Sequence, residues 1–147
     1  MGLPTIAIQT AAITRYRADT TLRGLLAGSS PIWNIFDENG APTNTPFPYI
    51  VIYPISSTRG TAFGFTADAV DSIFHISVFT QLGASGGFGK ARAVAKRVYD
   101  TTHKSPFDLS ASGFTNFFLL FESEQTVPSA DGITQQIDVK FHLMVQG

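Results

Sequence analysis

Phe114-Thr115-Asn116-Phe117-Phe118-Leu119-Leu120-Phe121-Glu122-Ser123-Glu124-Gln125-Thr126 and Ile133-Thr134-Gln135-Gln136-Ile137-Asp138-Val139-Lys140-Phe141-His142-Leu143-Met144-Val145 are joined through Ala130-Asp131-Gly132. In the second run Ile133, Ile137, Val139, Phe141, Leu143 and Val145 hold odd positions, while Thr134, Gln136, Asp138, Lys140 and His142 hold even ones. That period of two describes a strand with one wet face. Asp-Gly between two such runs supplies the positive-φ positions of a tight antiparallel connection, so the pair reads as a β-hairpin. The first run differs, because Phe117 to Phe121 is apolar at every position. A strand half-exposed in a monomer does not look like this, and the sequence predicts that something covers its second face.

Composition points the same way. A chain of 147 residues fits one domain and buries roughly 70% of its unfolded surface without staples. Charged residues make up only 14% and there are thirteen phenylalanines, against about 25% charge in ordinary soluble domains. Part of the surface is therefore expected to lie against other subunits. A net charge of −1 makes no electrostatic case for nucleic acid, a membrane or another polyanion. The absence of cysteine excludes a disulfide framework and a thiolate metal site. Met1-Gly2-Leu3-Pro4 lacks the pattern of a signal peptide, and no stretch reaches the roughly 20 apolar residues of a membrane helix, so a soluble protein is expected.

Outward from the hairpin, Ile6, Ala12, Ile13, Tyr16, Leu22, Leu25 and Leu26 recur at helical spacing, and Gly28 is placed to end the last turn. One long helix fits, as do two with the second capped at Asp19-Thr20-Thr21. Residues 29–48 carry so many prolines and Asn-Gly-type turn formers that they are expected to hold no regular structure, with Ile32, Trp33, Ile35, Phe36 and Phe47 as anchors. Tyr49 to Ile55 and Val70 to Thr80 read as strands joined by an extended hairpin loop at 56–69. Phe88, Ala91, Val94, Ala95, Val98 and Thr102 form the apolar stripe of a helix. The order helix, strand, strand, helix, strand, strand predicts a single α+β domain, a four-stranded antiparallel sheet with helices on one face.

Four constellations invite a chemical reading. Gly83-Ala84-Ser85-Gly86-Gly87 satisfies G-x-S-x-G between a strand and a helix, with Asp108, Asp131 or Asp138 and then His142 in the order of a hydrolase triad. That elbow works on a large, mostly parallel sheet, which this chain lacks, and His142 falls inside a strand. Gly89-Lys90 could close a phosphate loop, yet Ala84 and Ala91 occupy both anchor positions. His75 and His142 lie on the polar faces of two strands and approach each other if those strands pair, but no third ligand accompanies them, so they read as solvent-facing. Lys90, Arg92, Lys96 and Arg97 read as the wet side of a helix in a neutral chain, a nucleic-acid module being the alternative. The residues thus assign no catalytic, cofactor or metal site.

Ile35-Phe36-Asp37, the proline-bearing run ending in Pro46-Phe47-Pro48-Tyr49-Ile50-Val51-Ile52, Ile76-Ser77-Val78-Phe79 leading through glycines into an alanine-bearing helix, and Ala130-Asp131-Gly132-Ile133-Thr134 together resemble the tail-completion proteins of long-tailed phages. The leading helix, with Arg17, Leu22, Leu25 and Leu26, is similar as well, so the resemblance spans about Tyr16 to Val145. It implies a structural virion protein assembled in the host cytoplasm and forming a homo-oligomeric ring, typically a hexamer, at the head-tail junction. Such a ring terminates the tail tube or joins it to the head connector or a stopper protein, and DNA passes through its lumen. A closing heterologous contact needs two different patches on each chain. Arg59, Phe63 and Phe65 of the loop, with Phe117 and Phe121 of the hairpin, are the expected assembly contacts.

Ser85→Ala is expected to leave function intact, because the glycines around it serve turn geometry. Labelling of Ser85 by a serine-directed phosphonate would contradict this.

Overall fold

The computed structural model describes residues 4–59, 69–83 and 87–147. Its elements are α1 (Thr5–Ala18), α2 (Thr20–Leu25), β1 (Ile35–Phe36), β2 (Tyr49–Arg59), β3 (Ala69–Gln81), α3 (Gly87–Thr102), β4 (Thr115–Val127) and β5 (Thr134–Gln146), with a short 3-10 turn at Ser110–Ser112. The strands form one sheet in the order β1-β2-β3-β5-β4. Every pairing is antiparallel except that of β1 with β2.

Strand alternation decides which face is buried. Phe74 lies opposite Phe141, Ile76 opposite Val139 and Val78 opposite Ile137, while Ile52 and Ile50 extend the same face across β2. None of these eight side chains is more than 1% exposed. They share one core with Ile8, Ala12 and Tyr16 of α1, Leu22 of α2, and Ala91, Val94 and Val98 of α3. The helices therefore gather on one face, as the sequence predicts.

The sheet has five strands, not four, and is mixed. Ile35 and Phe36 pair parallel with Ile50 and Val51, inside the segment expected to hold no regular structure. The cause is tertiary. A Cβ on Gly28 would fall 2.2 Å from the backbone nitrogen of Asn34, so only glycine lets the two backbones meet there. Trp33 and Asn34 then adopt left-handed conformations at φ 59° and 58°. The Asn34 side-chain amide donates to the carbonyls of Pro46, at 2.7 Å, and Pro48, at 3.3 Å. Those anchors hold β1 in register with β2, and no local periodicity announces them.

Other boundaries move less. The leading segment is two helices, because the Asp19 carboxylate accepts the Leu22 N–H at 2.8 Å and caps α2. β2 runs to Arg59 and β3 begins at Ala69, so 56–59 and 69 are strand, and only 60–68 of the expected hairpin loop lie outside the described residues. Ile133, expected on the apolar face of the last strand, sits in the turn instead and is 51% exposed. Gly132 there has φ +68°, and the Asp131 carboxylate accepts the Ile133 and Thr134 N–H groups, both at 2.8 Å. The Thr134 hydroxyl and backbone, with Ile133 and Ser129, hold the Asp131 carboxyl far below the usual carboxylate range.

Two polar clamps tie the helical layer together. The Arg97 guanidinium donates two hydrogen bonds to Asp19, at 3.2 and 2.7 Å, linking the start of α2 to α3. Arg15 donates to the carbonyls of Ser105, at 2.6 Å, and Pro106, at 3.0 Å, with its guanidinium 4.3 Å from the Phe107 ring centre. Beneath them the buried Tyr16 and Thr102 hydroxyls hydrogen-bond to each other. Burial raises the phenol's pKa despite that bond, so Tyr16 stays neutral.

Burial alone would raise the Asp19 pKa, but the hydrogen bonds from Arg97 and Leu22 outweigh it and the net shift is downward. A depressed carboxylate stabilises the fold fully above its unfolded pKa, near 4, and the contribution is lost as pH falls through the folded value. Asp19→Ala is therefore expected to cost about 1–2 kcal/mol at neutral pH through the lost cap, with the gap to the parent protein narrowing in acid, as pH falls through the lowered folded value. Chemical denaturation at neutral and at acid pH checks it, and a gap that does not shrink in acid would contradict the assignment.

Candidate assembly surface

β4 departs from regular pairing at the residues that made the sequence unusual. Its register against β5 slips between Asn116 and Phe118 and again between Phe121 and Ser123, so β4 carries one extra residue at each slip, Phe117 and Glu122. Leu119 is fully buried, Phe121 is half-buried, and Phe117 is 46% exposed. The Phe121 ring lies 5.2 Å from Tyr99 and 6.2 Å from Phe141, edge-on to both. Of the two described contact candidates, Phe121 thus belongs in large part to the subunit's own core, and Phe117 to its surface.

The outer edge of β4 is partly closed from within. The Phe121 N–H donates to His103 Nδ1 at 2.9 Å, and the Lys104 N–H donates to the Leu119 carbonyl at 2.8 Å. Asn116, 8% exposed, accepts the Phe107 N–H at 2.8 Å and donates to the carbonyls of Phe118, at 2.8 Å, and Met144, at 3.0 Å. The bulge at Phe117 and this capping make residues 116–121 a poor template for simple strand addition.

The second face of the sheet is packed by no described helix or strand. At the β1 end, Tyr49 stacks on Phe79 with ring centres 5.0 Å apart, and Phe36 and Phe47 close around Tyr49 at 6.0 and 5.2 Å. In the middle the Ser77 hydroxyl donates to Asp138 at 2.7 Å, Gln136 donates to the same carboxylate at 2.9 Å, and the Tyr53 hydroxyl lies 3.2 Å from Ser77 Oγ. Toward β4, His142 meets Asp71 at 3.1 Å and carries the Phe118 ring edge-on at 5.3 Å.

His75 corrects the expectation of a solvent-facing histidine. It is 9% exposed, its ring meets Tyr53 edge-on at 3.6 Å, and neither ring nitrogen has a hydrogen-bond partner among the described residues. Burial lowers its pKa, with Asp138 pulling the other way, so the ring is neutral near pH 7. His75 and His142 do lie on neighbouring strands, yet His75 faces Lys140 and His142 faces Ile73 across the ladder. No group of three metal-ligating side chains occurs among the described residues.

The remaining candidates separate. Ser85, Phe63 and Phe65 lie outside the described residues, as does the side chain of Arg59. Asp108 caps the 3-10 turn through Ser110, Asp131 caps the terminal hairpin, and Asp138 holds Ser77. None of the three faces His142, whose carboxylate partner is Asp71, so the triad suggested by chain order is not assembled. Two open grooves lie on the helical side. One, of about 790 Å³, runs between α1 and residues 107–114 and includes Ile6, which is 78% exposed. The other, of about 480 Å³, lies between α3 and β4, floored by Ala95, Tyr99, Phe121 and Val139 and rimmed by Arg92, Lys96 and Glu124. The sequence reading missed the aromatic group around Tyr49 and both grooves. Only the near-continuous apolarity of Tyr49 to Ile55 and of Ile6 to Ile13 hints at them.

Residues 10–146 match the model of a family described as tail completion protein gp17. Among solved structures, a chain from the virion of a native gene transfer agent particle superposes with a TM-score of 0.72 at 23% identity, covering 95% of both chains. The gp17 protein of bacteriophage SPP1 superposes with a TM-score of 0.52 at 20% identity, covering 97% of this chain and 91% of that one. At these identities the structures establish the shared fold. A comparison with curated protein sequences gives no match.

Leu120 and Phe121 should separate surface from core. Phe121→Ala is expected to cost about 2–3 kcal/mol, somewhat below a full core truncation because the ring is half-buried. Leu120→Ser, on the open face at 38% exposure, should shift the isolated chain by less than about 0.5 kcal/mol. Denaturant titration of both variants checks this, and equal losses would show that the face is covered from within the chain.

Proposed function

Since the chain belongs to the tail completion protein gp17 family, one of structural phage proteins and not of enzymes, we propose that it assembles as a closed ring, of six copies, at the head-tail junction. There it ends the tail tube or joins it to the head connector or a stopper protein, with DNA passing through the lumen without sequence-specific contacts. Assembly takes place in the host cytoplasm before the ring enters the virion.

The observation that carries this reading is a sheet with one face buried under helices and the other packed by no described element, in a chain with only 14% charged residues. A face bearing the Tyr49–Phe79 stack, with the rings of Phe36 and Phe47 beside it, presents apolar surface that is costly to leave against water. Covering it with neighbouring subunits or the tube removes that cost. The contact is heterologous, since the sheet ends in unlike edges, β1 on one side and β4 on the other. Phe117 on its bulge, Arg59 at the end of β2, and Phe63 and Phe65 on the stretch joining β2 and β3 are the proposed contacts. Residues 60–68, with small side chains around two phenylalanines, serve as an arm that docks on the adjacent subunit or on the tube.

Changing Phe63 and Phe65 together to Ser is expected to leave the melting temperature of the isolated chain nearly unchanged while abolishing ring formation or tail joining. Normal joining by this variant would discard the arm, and a parent chain present as a single copy per particle would discard the ring.

A further inference from the structure

Charge is divided between the two layers of this nearly neutral chain. Seven of its ten Lys and Arg residues lie on the three helices, which carry only one of its eleven carboxylates, Asp100. The strands and connections hold the other ten carboxylates and three cations. Most of the helical cations are engaged within the fold. Arg15 and Arg17 donate to backbone carbonyls, Arg97 to Asp19, and Arg23 lies 4.5 Å from the centre of the Trp33 ring. What faces outward is the rim of the α3–β4 groove, where Arg92 lies over the Phe88 ring at 5.3 Å and Lys96 has a side chain 76% exposed.

The other end of the sheet has the opposite sign. From residue 27 to residue 58 the only charged side chains are Asp37 and Glu38. They follow β1 directly and are held in a turn by the Gly40 N–H, which donates to the Asp37 carbonyl at 2.9 Å, and the Asn39 N–H, which donates to the Asp37 carboxylate at 3.0 Å. Glu38 projects as an exposed residue at its tip. Beside that turn stand the half-buried rings of Phe36, Phe47 and Tyr49.

We propose that the α3–β4 groove of one copy receives the β1 edge and the turn at 37–40 of a second copy, with Glu38 and Asp37 meeting Arg92 and Lys96 over an apolar floor. This deepens the ring reading above and rests on it. The two surfaces belong to opposite ends of the sheet order, so each copy offers both halves of the contact and the association runs head to tail. The opposed signs select this register and disfavour the groove-to-groove alternative. Glu124 lines the same groove and Asp100 pairs with Lys96 at 2.9 Å, so Arg92 carries most of the charge of the contact.

Arg92→Glu and Glu38→Lys, both at exposed positions, test the contact on the full chain. Sedimentation velocity should show each single variant self-associating more than about tenfold more weakly than the parent. An equimolar mixture of the two singles, and a chain carrying both changes, should regain association, since each restores opposed signs at every contact. Raising salt from about 0.05 to 0.5 M should weaken the parent and leave a smaller salt dependence in the singles. Unaltered association of the singles, or no recovery on mixing, would overturn the proposal. So would retention of a DNA duplex that Arg92→Glu abolishes while self-association stays normal. Copies per particle counted for the same chains carry the test where the free chain is monomeric. Rings formed normally by both singles would discard this contact and keep the ring, whereas one parent copy per particle would discard the ring as well.

Discussion

The structure depends on an asymmetry of burial. One face of the sheet, from Ile50 and Ile52 through Phe74, Ile76 and Val78 to Ile137, Val139 and Phe141, is closed under α1, α2 and α3. At roughly 25 cal/mol per Å² of apolar surface, that single interface supplies most of the driving force for folding. Having used its helices there, the chain has no described element left to place on the opposite face. Several side chains on that face are held by in-plane neighbours, from the stacked Tyr49 and Phe79 to the Tyr53–Ser77–Asp138 chain of hydrogen bonds.

What could be read from sequence follows from how local each cause is. The alternation in Ile137 to Val145 fixed the buried face of β5, and the stripe Ala91, Val94, Ala95, Val98 and Thr102 fixed that of α3, because both periods are written in neighbouring residues. β1 was illegible because it depends on a backbone approach at Gly28 and on an Asn34 amide reaching Pro46 and Pro48. His75 looked wet because it alternates with Phe74 and Ile76. Its burial comes from Tyr53 on the next strand, a partner that only the register reveals. The doubly apolar stretch at Phe117 to Phe121 was legible as an anomaly. The bulges at Phe117 and Glu122, and the contact of Phe121 with Tyr99, were not, since an extra residue in a strand leaves no periodic trace.

Membership of a family of tail-completion proteins gives these features a common purpose. On the ring reading proposed above, a subunit gains from a nearly neutral overall charge, which limits repulsion at close quarters, and from a charge division that gives each flank a sign. The capped edge at Leu119 to Phe121 prevents indiscriminate strand pairing of free chains. Association is then left to side-chain surfaces, which can be specific without committing the sheet to open-ended growth.

The central claim is that this chain closes on itself around the end of the tail tube. A cryo-electron microscopy map of the assembled particle tests it most directly. The account predicts a closed ring of this chain at the head-tail junction, in which the sheet face bearing Tyr49, His75 and Phe79 is covered by neighbouring subunits or the tube. A map placing one copy there, or a ring that leaves this face open to solvent, would contradict it.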